Sequence, residues 1–152
     1  MSFVNWRWLN FDMLTLDELY EVLKLRQDVF ILEQQCFYPD MDGQDKISVH
    51  LLGYDKYDLV AYLRIIPKTI DGRETMVIGR VLTSDSGRGL GLGKVMMEKT
   101  MSHLAQEYPG MAVQLSAQLY LQKFYASYGF IPISEPYDED GIMHIDMRLE
   151  DA

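Results

Sequence analysis

Apolar residues recur along this chain with two different spacings, and the changes between them mark out the elements. Trp6 to Phe11 reads as a short strand. Thr15-Leu16-Asp17-Glu18 then has the form of a capping box, in which Thr15 caps a helix and Glu18 reaches back. Leu16, Leu19, Tyr20, Leu23, Arg26, Val29 and Phe30 follow at helical spacing, predicting a helix to about Gln34. Pro39 to Asp45 is polar and turn-rich. Val49 to Tyr54 and Leu59 to Pro67 predict strands joined by a DKYD turn. Asp71-Gly72 marks a second hairpin turn, with Thr75 to Thr83 as its return strand. Helical spacing resumes at Met97, Met101, Leu104 and Tyr108 and stops at Pro109-Gly110. Met111 to Ala117 predicts a strand, and Leu119 to Tyr128 a helix ended by Gly129. Ile131 to Ile133 and Ile142 to Leu149 predict strands on either side of an acidic turn, EPYDEDG. The order is β-α-β-β-β-α-β-α-β-β, a mixed α/β (α+β) domain.

Composition narrows the setting. The 152 residues fit one domain, 1–152, and 48% hydrophobic residues supply a core. The N-terminal MSFVNWRWLNFD has no apolar stretch of the signal-peptide kind, which makes a cytoplasmic location the expectation. A net charge of -9 disfavours nucleic acid and anionic membrane as partners. The single cysteine, Cys36, cannot form an internal disulfide.

The stretch SGRGLGLGK, Ser86 to Lys94, lies between a strand and a helix. Such a junction presents unpaired backbone N–H groups at the positive end of a helix dipole, a site suited to phosphate. The Walker pattern G-x-x-x-x-G-K-[ST] fails, with Arg88 first and Val95 last. The dinucleotide pattern G-x-G-x-x-G fails from Gly87, Gly89 and Gly91 alike. Without a ligand, the same glycines make a flexible turn.

One pattern does fit. Arg88-Gly89-Leu90-Gly91-Leu92-Gly93 matches [QR]-x-x-G-x-[GA] and resembles the pyrophosphate loop of the GNAT acyl-CoA N-acyltransferase superfamily. LYLQKFYASYGF, with Tyr125 four residues before Gly129-Phe130, is similar to the segment that carries that family's general-acid tyrosine. FILEQQCFYPDMDGQD, IGRVLTS, LSAQLYLQKFYASYGF and YDEDGIMHIDM together resemble the ElaA-like branch, and they span most of the chain.

The resemblance implies a GNAT-type twisted mixed β-sheet flanked by helices and splayed between its fourth and fifth strands, with acetyl-CoA as acyl donor in the cleft. It implies an N-acetyltransferase working by direct transfer in a ternary complex. Val81, Leu82 and Thr83 would bond the pantetheine arm, with a backbone N–H near Leu82 polarising the thioester carbonyl. The loop Arg88, Gly89, Leu90, Gly91, Leu92, Gly93 and Lys94 would hold the pyrophosphate. Tyr125 would assist departure of the thiolate. Gln118 stands seven residues before Tyr125, where many family members carry Asn, so a side-chain contact there is open. Dimers are common in the family, which makes a homodimer the expected assembly.

The resemblance implies a small-molecule or protein amine as acceptor, mostly protonated at pH 7, so a base is needed. Glu33, closing the first helix, is the first candidate, ahead of His50 and Asp42. The acidic stretches Asp40 to Asp45 and Glu135 to Asp140 either edge a site for a cationic amine or are ordinary solvated loops. A ping-pong route would need Cys36 together with His50 or the His144-x-Asp146 pair. DMDGQD is not a calcium loop, since its glycine comes fourth rather than sixth, and the histidines and Cys36 lack zinc spacing. A CoA-binding sensor with the same fold and no turnover is the alternative function.

Overall fold

Thr15 and Glu18 close the capping box as their spacing predicts. The Glu18 amide donates to Thr15 Oγ1 at 3.1 Å, and the Thr15 amide donates to Glu18 Oε1 at 2.9 Å. This start launches α1, Leu16–Arg26, which follows strand β1, Val4–Asn10. The computed structural model describes residues 3–151, and none of its helices is long and apolar enough to cross a membrane. The predicted helix to Gln34 is continuous but changes its winding. Gln27–Glu33 is a π-helix, and the Gln34 amide donates to the Val29 carbonyl at 3.1 Å. π-Turns inside helices are often found at functional sites.

Strands β2, Val49–Asp55, β3, Asp58–Ile70, and β4, Arg73–Thr83, form an antiparallel meander with β1. Asp71 and Gly72, with φ of 50° and 76°, give the β3–β4 hairpin its left-handed turn. Helix α2, Leu92–Glu107, crosses over to β5, Ala112–Gln118, which runs parallel to β4. A 3-10 turn, Leu119–Leu121, leads into the short α3, Gln122–Ala126. The segment 119–128 is therefore a broken helix rather than the even one its spacing predicts. Strand β6, Ile131–Pro132, and strand β8, Ile142–Leu149, complete the sheet. The acidic turn between them holds an unforeseen strand, β7, Tyr137–Glu139, paired with β8. In order across the sheet the strands run β1-β2-β3-β4-β5-β8-β6.

The two faces of this sheet are covered differently. On one, Met96, Met97 and Leu104 of α2 join Tyr125 and Phe130 over Leu63, Ile65, Leu115 and Met147. On the other, Val22, Leu25 and Val29 cover Leu9, Leu52, Tyr62 and Leu82, all from β1 to β4. The β5–β8 half of that second face lies outside this core.

The loop after the π-helix is held by charge. Arg26 is fully buried and donates to Asp45 Oδ1 at 2.7 Å and to Asp40 Oδ2 at 2.9 Å. Arg64, buried in β3, donates to Asp45 Oδ1 and Asp42 Oδ1, both at 2.9 Å. Arg80 of β4 donates to Asp40 Oδ1 at 2.8 Å. The Asp40 to Asp45 stretch is thus neither a solvated turn nor an open acidic rim: three guanidiniums neutralise it. His50 fills the remaining corner, its ring nitrogens 2.6 Å from the Tyr62 hydroxyl and 2.9 Å from the Asp45 carbonyl.

Burial opposes ionisation of Asp42 and Asp45, but hydrogen bonds from Arg64 and Arg26 outweigh it and hold both carboxyls below the usual range. Burial pushes His50 down and keeps it neutral. Both effects give stability that acid removes. As pH falls, the unfolded chain gains a proton on its histidine first, from about 6.5, and on these aspartates from about 4. Denaturant titrations should show a midpoint that is level above pH 7, declines from about 6.5 and declines again below about 4. Asp45→Ala removes a carboxylate shared by two buried arginines, each of which keeps one other aspartate, at a cost of about 3 kcal/mol. Calorimetry should then show a melting temperature roughly 10 °C lower at neutral pH.

Candidate active site

The glycine stretch is built from both constraint and freedom. Ser84 Oγ accepts from the Gly87 amide at 3.1 Å, starting a 3-10 turn over Asp85–Gly87. A Cβ on Gly87 would lie 2.9 Å from the Val60 carbonyl oxygen, so glycine lets this turn press against β3. Gly91 serves as N-cap of α2 in the left-handed region, φ 71°, and no side chain caps it. The first amides of α2, at Leu92, Gly93 and Lys94, therefore open outward. A Cβ on Gly89, Gly91 or Gly93 would meet nothing within 4 Å. The Leu92 side chain is buried in the core and anchors the turn, whereas Leu90 and Lys94 are exposed. Open space, unpaired amides and the positive end of a sixteen-residue helix fit the diphosphate of a nucleotide-like ligand.

Beside this loop the sheet divides. β4 and β5 pair from Thr75 with Ala112 to Ile78 with Leu115, and no further. Beyond that point β4 stays on β3 to Thr83, while β5 stays on β8 to Gln118. At the division β4 carries a bulge. Gly79 faces Arg64 and Leu82 faces Tyr62, leaving Arg80 and Val81 opposite Leu63 alone. Arg80 sits at φ 53°, an arrangement costing about 1–3 kcal/mol for a non-glycine residue. Asp40 and the Tyr38 ring, 5.4 Å from its guanidinium carbon, hold it there. Leu82 buries its side chain against the α1 core, so any contact it makes with a ligand in the cleft comes from its backbone. Val81 and Thr83 are half-buried.

Tyr125 shares a core with Leu92 of α2 and Ala117 of β5 and is only 5% exposed. Burial pushes its phenol up to about 12, so it is protonated at neutral pH and able to donate. The rings of Phe124 and Phe130 meet it edge-on, at 5.1 and 6.3 Å between centroids. Gln118 ends β5 opposite His144 in the register, on the face that the α1 core leaves uncovered.

The proton-acceptor candidates are engaged elsewhere. Glu33 ends the π-helix, and both its oxygens meet the Arg88 guanidinium, one at 2.9 Å. That hydrogen bond holds the Glu33 carboxyl below its usual value. A carboxylate gripped by arginine is a poorer base than the sequence position suggests. Asp42 and His50 belong to the buried network described above. Cys36 Sγ lies 3.3 Å from the Asp140 carbonyl, and His144 Nδ1 lies 2.8 Å from the Ile142 carbonyl. Cys36, His50 and His144 thus have separate partners and form no nucleophile–base pair. Residue order did not reveal the Arg88–Glu33 pair, the Arg80 bulge or a chain of two hydroxyls, on β5 and β7, that ends on a carboxylate of β8. Arginines inside the apolar runs AYLRIIP and VIGRVL were the available sign of buried pairing.

Comparison with known proteins places this geometry. The family model of the acetyltransferase (GNAT) domain matches residues 21–151. Protein ElaA of Escherichia coli (strain K12) is 44% identical over 149 residues, covering 97% of each chain. The crystal structure of Escherichia coli ElaA superposes with a TM-score of 0.89 at 43% identity, over 96% of this chain and 99% of that one. An acyl-CoA N-acyltransferase from Pseudomonas aeruginosa gives a TM-score of 0.89 at 40% identity, with the same coverage. A capped glycine loop, a sheet divided at β4 and β5, and these full-length likenesses agree: the chain belongs to the GNAT acetyltransferase family, in its ElaA-like branch.

Proposed function

We propose that this chain is an acyl-CoA-dependent N-acyltransferase, moving acetyl from acetyl-CoA directly to an amine. The observation that carries this reading is the meeting of open α2 amides, a divided sheet and a buried, protonated Tyr125 in one core region. The donor's pyrophosphate would rest on the amides from Gly91 to Lys94, with Arg88 beside it. The pantetheine arm would lie in the gap between β4 and β5 as a surrogate strand, bonding the backbone of Val81 to Thr83 and passing Gln118. A backbone N–H near Leu82 would polarise the thioester carbonyl. Tyr125 would give its proton to the departing sulfur.

Glu33 takes a different part from the base suggested by its position. It neutralises Arg88 until a pyrophosphate competes for the same guanidinium. It thereby orients Arg88 at the lip of the loop and sets a modest charge barrier to donor binding. In this reading the protein acts in the cytoplasm on a small-molecule or protein amine, without nucleic acid or membrane, and a homodimer is compatible with it.

Three variants separate the parts. Gly91→Glu forces a side chain onto a left-handed residue and sets a carboxylate at the pyrophosphate position. Titration calorimetry should show acetyl-CoA affinity reduced by at least about 100-fold, near 2.7 kcal/mol. Tyr125→Phe should bind acetyl-CoA within a few-fold of wild type yet release thiol about 10²-fold more slowly across an amine panel. Glu33→Gln should bind acetyl-CoA as well as or better than wild type and keep turnover. Loss of turnover with binding intact would instead make Glu33 the base. Binding by the wild type with no turnover on any amine would favour a CoA sensor.

A further inference from the structure

The sheet face that α1 leaves uncovered carries a continuous chain of hydroxyls ending on a carboxylate. Ser116 Oγ and Tyr137 Oη lie 2.5 Å apart, and Tyr137 Oη donates to Asp146 Oδ1 at 2.6 Å. Three strands contribute one member each. In the register Ser116 of β5 stands opposite Asp146 of β8, and Tyr137 of β7 stands opposite His144. The Tyr137 phenol therefore reaches back over β8 to bridge the other two.

Its position is specific. The β4–β5 pairing ends at Ile78 and Leu115, so Ser116 is the first β5 residue beyond the division of the sheet. The alternation of β5 buries Leu115 and Ala117 on the α2 side and turns Ser116 and Gln118 to the opposite face. Ser116 is exposed, while Tyr137 and Asp146 are half-buried behind it. An acceptor approaching the cleft from the face opposite α2 would meet the Ser116 hydroxyl first.

Among the described residues no cation pairs with the carboxylate at the far end. His144 and Arg148 flank Asp146 on the same face, but both turn away. His144 Nδ1 meets the Ile142 carbonyl, and its Nε2 lies 3.5 Å from Glu139. Arg148 donates to Gln114 and to Glu150, each at 3.0 Å. The backbone amide of Asp146 is held by Ser134 Oγ at 3.0 Å, which fixes the strand without using the side chain. Asp40, Asp42 and Asp45, by contrast, are all spent on arginines, and Glu33 is held by Arg88. Burial, and then the bond to Asp146, push the Tyr137 phenol up, so it stays protonated and can pass a proton without storing charge.

Resting on the acyltransferase reading, we infer that Ser116, Tyr137 and Asp146 form the route by which the acceptor amine loses its proton. A primary ammonium donates to Ser116 Oγ, the Ser116 proton passes to Tyr137 Oη, and the Tyr137 proton passes to Asp146. Asp146 ends as a neutral acid that later discharges to solvent. The freed amine lone pair forms the new C–N bond as the thioester C–S bond breaks. The nitrogen's second proton replaces the one that Tyr125 gives to sulfur. The sum is ammonium plus thioester to amide plus thiol plus one proton. Ser116 alone would touch the substrate; Tyr137 and Asp146 act through it. The implied acceptor is a primary alkylamine that arrives charged.

Two nucleophiles of different basicity test this route. Putrescine is an alkylamine with conjugate acids near the lysine value, about 10, and needs a proton acceptor at pH 7. Methoxyamine is already neutral at that pH and needs none before attack. Thiol release from acetyl-CoA is measured with each, for wild type, Tyr137→Phe and Asp146→Asn, beside calorimetric binding of acetyl-CoA. The expected result is a fall of about 10²-fold in kcat/KM for putrescine, a fall below about 3-fold for methoxyamine, and unchanged acetyl-CoA affinity. The putrescine loss should recover as pH approaches the amine's own pKa. Folded variants that treat the two nucleophiles alike, whether losing both or neither, overturn the route while leaving the acyltransferase reading standing. So does a wild type that binds acetyl-CoA but turns over neither amine at high concentration. A wild type that fails to bind acetyl-CoA overturns the acyltransferase reading itself, and the route with it.

Discussion

Past Ile78 and Leu115 the fourth and fifth strands cease to share hydrogen bonds, and the rest of the molecule is arranged around that separation. Two strands that part inside one sheet expose backbone donors and acceptors that must find other partners. Part of the solution is internal: β4 remains on β3 and β5 on β8, so each strand keeps one neighbour. The other edges face each other across a gap. An extended amide-bearing chain is the natural occupant of such a gap, and the open end of α2 beside it suits that chain's anionic head.

Keeping the gap open requires rigidity, and the buried charges supply it. Arg26 comes from α1, Arg64 from β3 and Arg80 from the β4 bulge, while Asp40, Asp42 and Asp45 come from one loop. The cluster therefore ties a loop, a helix and two strands at one point. Buried ion pairs add little net stability compared with apolar packing, because desolvation offsets attraction. Their geometry is exacting, however, and here it holds Arg80 in a left-handed conformation that β4 would otherwise avoid. The bulge turns β4 away from β5 where the division begins. The same loop also reaches the β7–β8 turn, where Cys36 Sγ lies 3.3 Å from the Asp140 carbonyl.

Much of this was readable from residue order, and the failures have physical reasons. The capping box, the Asp71-Gly72 turn and strand β8 come from short-range rules, and they appear where spacing puts them. The mixed sheet with flanking helices follows the expected order, and its opening between β4 and β5 falls where the family resemblance implies it. Strand β7 escaped notice because it is three residues long and two of them, Asp138 and Glu139, are acidic and exposed, so pairing with β8 holds it rather than an apolar face. The π-turn escaped because apolar spacing barely distinguishes one extra residue per turn. The surroundings of the carboxylates were the least legible. A sequence gives their charge but not their partners, and Glu33 and Asp42 prove to be held by Arg88 and Arg64 from 55 and 22 residues away. Ser116 and Tyr137 gave no signal, and Asp146 stood out only beside His144, since the three meet only through strand register.

The central claim is that the gap between β4 and β5 and the end of α2 form one acyl-CoA site. Amide NMR of the labelled protein titrated with CoA tests it most directly. The largest shifts should cluster at Val81 to Thr83, Arg88 to Lys94 and Ser116 to Gln118, with α1 and the outer face of β1 undisturbed. Shifts confined to the outer face of α1, or none at saturating CoA, would contradict it.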